Sequence, residues 1–73
     1  MALINKVKKM ERNSNVHNEV EATYNLITAN NKRYVQINTY GSNNRKIQGI
    51  ASQSIQLSED TIIQLKKILD EEF

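Results

Sequence analysis

The residues of this chain best equipped for chemistry are suited to binding rather than reaction. Lys32, Arg33, Arg45 and Lys46 are cations able to neutralise phosphate, and Tyr34 and Tyr40 carry rings on which a base can stack. Gln36, Asn38 and Gln56 add amides, each both donor and acceptor, for a base edge or a sugar. Tyr34, Gln36, Asn38 and Tyr40 recur at every second position, the spacing that places side chains on one face of a strand. Reactive groups are scarce by comparison. His17 is the single histidine and there is no cysteine, so a transition-metal site lacks ligands. Glu19 and Glu21 could imitate a carboxylate pair, but no nucleophile or base accompanies them. Gly41 and Gly49 stand too far apart for a glycine-rich phosphate cradle. The reading is a non-catalytic protein with no cofactor and no metal.

Arg45 and Lys46 lie in "NTYGSNNRKIQG", residues 38–49, which holds both glycines of the chain. Glycine, asparagine and serine are the residues of a connection. This one is longer than the roughly two to five residues of an ordinary hairpin loop, as contact loops tend to be.

The elements that would position these residues form an α+β domain spanning residues 1–73. In "EVEATYNLI", Val20, Ala22, Tyr24 and Leu26 alternate with Glu19, Glu21, Thr23 and Asn25; in "RYVQINTY", Val35, Ile37 and Thr39 alternate with the polar set. Asn30-Asn31 suits a two-residue type I′ turn, because asparagine tolerates positive φ. That turn pairs Leu26 with Val35 and Tyr24 with Ile37, so turn chemistry and face pattern agree. "IASQSIQL" reads as a further strand, with Ile55 and Leu57 inward and Ser52, Ser54 and Gln56 outward. From Ser58, "SEDTIIQLKKILDEEF" reads as an amphipathic helix. Ser58 is its N-cap, and Leu57 and Ile62 form a hydrophobic staple. Leu3, Val7 and Met10 suit one side of a helix, but residues 2–9 read better as an edge strand protected by its lysines, with "ERNSN" then a turn. The expected strands are 2–9, 18–29, 33–40 and 50–57, and the expected helix is 59–71. They form an antiparallel β-meander of three to four strands with the C-terminal helix on one face. The other face presents Thr23, Asn25, Tyr34, Gln36, Asn38, Tyr40, Ser52, Ser54 and Gln56.

Seventy-three residues make one small domain, which buries only roughly 60% of its unfolded surface. Without disulfides to staple it, and with a helical stripe of Ile62, Ile63, Leu65, Ile68, Leu69 and Phe73 broader than a narrow sheet covers, a homodimer is expected. No apolar run approaches the ~20 residues of a membrane span, and the N-terminus is too polar for a signal-peptide core, so the expected location is cytoplasmic, with no membrane partner. Abundant asparagine, isoleucine and lysine, all read from AT-rich codons, point to a low-GC bacterium or its phages. The net charge of +2 hides an asymmetry. Lys6, Lys8, Lys9, Arg12, Lys32, Arg33, Arg45 and Lys46 outweigh Glu11, Glu19 and Glu21 before residue 59. Beyond it, Glu59, Asp60, Asp70, Glu71 and Glu72 outweigh Lys66 and Lys67.

The order strand, long basic loop, strand ending "SIQLS" and one amphipathic helix resembles the positive-cofactor-four type of single-stranded DNA-binding domain and its small bacterial relatives. Ile55, Leu57 and Ser58 match the aliphatic–x–Leu–Ser/Thr pattern that leads into the helix there. The likeness runs over residues 20–70 as a pattern, with few identities. It implies a four-stranded antiparallel sheet, a C-terminal helix, a dimer, and single strands bound on the sheet surface. "QINTYGSNNRKIQGIASQSIQL" also looks like a signature of small uncharacterised bacterial proteins. The chain departs from the family in having no tryptophan and in two glutamates on the face that would meet phosphate. The function expected is a small dimeric nucleic-acid-binding protein favouring single strands, with Lys32, Arg33, Tyr34, Gln36, Asn38, Tyr40, Arg45, Lys46 and Gln56 as its contacts. The alternative is a phage- or plasmid-type interaction module that docks on a host enzyme.

Overall fold

The computed structural model describes residues 1–40 and 51–73. Asn30 (φ 53°) and Asn31 (φ 63°) both adopt the left-handed conformation of a type I′ turn. They join β2 (Ala22–Ala29) to β3 (Lys32–Thr39). The pairing is the one the turn dictates, from Ala29 with Lys32 through Leu26 with Val35 to Ala22 with Thr39. β4 (Gln53–Ser58) runs antiparallel to β3, setting Leu57 beside Val35 and Ile55 beside Ile37.

The first strand departs from expectation in length and partner. β1 is Ala2–Ile4 alone, and it pairs parallel with β4, setting Ala2 beside Ile55 and Ile4 beside Leu57. The sheet is therefore mixed, in the order β1-β4-β3-β2, and not a meander. The strand stops early because the helix captures its continuation. The Val7 N–H donates to Gln64 Oε1 (3.0 Å) and the Val7 carbonyl accepts from Gln64 Nε2, so this backbone is bonded to a side chain instead of a ladder. β1 and β2 lie at opposite edges and run in the same direction. Residues 5–21 form the long connection such a parallel return needs, in place of the expected turn at 11–15. β2 accordingly begins at Ala22 and not at residue 18.

α1 spans Glu59–Glu72, with Ser58 as N-cap accepting from the Thr61 N–H at 3.2 Å. Thr61 is fully buried, and its hydroxyl donates to the Ile4 carbonyl at 2.7 Å. A hydroxyl has one proton to give. The 3.0 Å contact between the Ser58 and Thr61 hydroxyls therefore runs from Ser58 to Thr61. One threonine thus ties the helix start to both β4 and β1.

The helix packs chiefly over β4 and β3. Among the described residues Leu57 is the one buried hydrophobic side chain, at 7% exposure. Tyr24 and Leu26 share its face of the sheet but remain 73% and 68% exposed. A single helix is about 10 Å across, too narrow to reach the fourth strand. Ile62, Leu65 and Ile68 are half-buried, whereas Ile63, Leu69 and Phe73 are exposed, Phe73 wholly so.

Candidate nucleic-acid interface

β3 organises the face opposite the helix. Tyr34, Gln36 and Asn38 lie on that side of the strand with Lys32 at its start, and Tyr40 follows just past its end. Register brings Asn25 and Thr23 of β2 beside Gln36 and Asn38, and Gln56 and Ser54 of β4 beside the same pair. The result is an amide and hydroxyl belt three strands wide.

Its side chains are bonded to one another, with Asn38 as the hub. Asn38 Nδ2 donates to Thr23 Oγ1 (3.2 Å) and Asn25 Oδ1 (3.1 Å), while Oδ1 accepts from Gln36 Nε2 (2.8 Å) and Ser54 Oγ (2.9 Å). Both donors and both lone pairs of the Asn38 amide are engaged, which fixes its orientation. Gln56 Nε2 extends the array by donating to Gln36 Oε1 (2.9 Å). At the other end the Tyr40 hydroxyl lies 3.0 Å from Thr23 Oγ1. Ser54 is only 5% exposed, while Gln36, Asn38 and Gln56 are half-buried. Among the described residues, none of these bonds uses the Asn25 side-chain nitrogen or the Gln56 side-chain carbonyl oxygen. Tyr34 and Tyr40, both half-buried, stand at the two ends of the belt, about 20 Å apart along the strand.

Of the nine residues expected to make contact, six share this surface: Lys32, Tyr34, Gln36, Asn38, Tyr40 and Gln56. Arg33 does not. Alternation turns it to the helix side, where its Nε sits 4.0 Å from Glu59 Oε2 and its backbone N–H donates to Glu59 Oε1 at 3.4 Å. Arg45 and Lys46 lie outside the described residues. Glu21, one of the two glutamates noted on this face, falls beyond the paired part of β2, and Tyr40 bonds Thr23. Among the described residues no group of three or more His, Asp or Glu side chains could hold a metal ion. None of the helices described is long and apolar enough to cross a membrane.

Sequence alternation had marked Thr23, Asn25 and Ser54 as members of the face. Their role in locking Asn38 depends on cross-strand register. No protein-family model matches the chain, and no curated protein or solved structure does either. The class that the fold defines is an α+β domain, a mostly antiparallel four-stranded sheet with one C-terminal helix.

Proposed function

We propose that this protein is a non-catalytic binder of single-stranded nucleic acid, using the helix-free face of its sheet. The observation that supports the reading best is the bonded amide belt flanked by Tyr34 and Tyr40. Rings with an accessible face can stack on bases whose faces a duplex hides, each contact contributing about 1–3 kcal/mol. Amides already held in place by one another lose little further freedom on binding, which lowers the entropic cost of engaging a base or sugar. Lys32 supplies a cation beside Tyr34, and Arg45 and Lys46 add positive charge to the segment that follows Tyr40.

Fluorescence anisotropy with labelled oligonucleotides tests this. Single strands should bind at low salt, duplex of the same sequence should bind more weakly, and Tyr34→Ala should lower affinity without unfolding the protein. Absence of any affinity for single strands at ~50 mM salt, where phosphate contacts are strong, sinks the reading. The belt then becomes a docking surface for a protein, and a pull-down from host extract follows.

A further inference from the structure

The two edges of the sheet are built differently. β1 is three residues long and is followed by Lys6, Lys8 and Lys9, features that discourage another strand from adding to it. β2 has eight residues, Ala22–Ala29, with no charge, no proline and an unbroken register along its whole length. A long, flat, uncharged edge offers its unpaired backbone groups to another chain, and natural proteins rarely leave one uncovered.

We infer that β2 pairs antiparallel with β2 of a second copy about a two-fold axis at Asn25, joining two sheets into one. A two-residue turn closes on a pair that exchanges both backbone hydrogen bonds, so the bonded pairs with β3 are those of Ala29, Ile27, Asn25 and Thr23. Ala22, Tyr24, Leu26 and Thr28 therefore direct their N–H and C=O outward. An axis at Asn25 sets Tyr24 against the partner's Leu26 and Ala22 against the partner's Thr28, which uses every one of those outward groups. An axis at Leu26 leaves Ala22 unpaired and opposes Asn25 to an isoleucine.

Side chains on both faces agree with the Asn25 axis. On the helix side, Tyr24 and Leu26 are the most exposed large apolar residues of the sheet, and the axis makes each the other's cross-strand neighbour. Leu26 also forms one wall of a groove with Val35, Ile62 and Ile63, so the partner's Tyr24 arrives beside apolar surface that α1 leaves uncovered. On the opposite side Asn25 meets its own copy, and the polar belt continues from one protomer into the next. Glu21, just before β2, approaches Ala29 of the second copy and the neighbouring Lys32, bringing opposite charges together twice.

The chain has no cysteine, so single replacements report the register cleanly. In the Asn25→Cys protein the two thiols sit in a non-hydrogen-bonded pair with Cα atoms about 4.5 Å apart, within disulfide range. Mild oxidation should convert it to a covalent dimer. In Thr23→Cys the two thiols are four residues out of register, about 13 Å apart, and should not join. Leu26→Lys places a charge in the pair and should turn a dimer into a monomer by analytical ultracentrifugation at micromolar concentration. Circular dichroism should show the fold intact, because Leu26 is already exposed in the protomer. A strictly monomeric unaltered chain overturns the proposal. So does a dimer in which Asn25→Cys fails to cross-link or Leu26→Lys still associates.

Discussion

Thr61→Val should be the most informative single change for the fold. Valine has nearly the shape of threonine, so at a site with 0% exposure it creates no cavity. What it removes is one oxygen with two duties. The Ile4 carbonyl loses its donor at 2.7 Å, and the Ser58 hydroxyl loses its acceptor at 3.0 Å. Leaving such groups unsatisfied costs about 1–3 kcal/mol. For a domain of this size each kcal/mol lowers Tm by roughly 4–8 °C, so the expected loss is roughly 5–20 °C. Thr61→Ser keeps the hydroxyl and should recover most of it. Hydrogen exchange should locate the damage, with the amides of β1 losing protection before those of the β2–β3 hairpin. Scanning calorimetry and exchange measurements decide the matter. If Thr61→Val melts with the unaltered protein, or if Thr61→Ser loses as much, the hydroxyl does not hold β1 to the helix and this account is refuted.

Other outcomes follow from the same structure. Ser58→Ala removes the cap from the Thr61 N–H and should cost about 0.5–2 kcal/mol in a denaturant titration. Arg33→Ala should cost less than about 1 kcal/mol, because its pairing with Glu59 is at the surface at 4.0 Å; a larger loss in the same titration would give that contact a structural role. Arg45→Ala with Lys46→Ala should weaken oligonucleotide binding and flatten its salt dependence, each lost phosphate contact removing up to about 0.7 from the log–log slope. Tyr40→Ala should weaken binding while leaving that slope unchanged, since stacking releases few counterions. Anisotropy titrations at two salt concentrations separate these last two effects.

The hairpin was legible because three independent signals agreed. Asn30-Asn31 named the turn, the turn fixed the register, and the register put Leu26 with Val35 on one face and Asn25 with Gln36 on the other. The helix was legible from its cap and periodicity, to within a residue at its end. β1 was legible as an edge strand but not in its length or its parallel partner, since three residues carry a short pattern and the partner lies far along the chain. Nor could alternation tell which members of the apolar face would be buried. Leu57 and Tyr24 follow the same rule, but the depth of each depends on where one narrow helix lies. The polar face was readable as a set of residues. Its wiring through Asn38 was not, because each bond depends on a neighbour from another strand.

The pairing of Ala2 with Ile55 has a consequence for how the molecule is born. A ribosome releases β1 well before β4 and α1, the strand and helix that hold it. The hairpin can close while synthesis continues, for its contacts are local. β1 has to wait until Leu57 and Thr61 have emerged, and then find them across a long sequence separation. The sheet is therefore completed only once β4 has left the ribosome, and a nascent protein stalled before residue 55 exposes the unclaimed side of β3 as a second sticky edge.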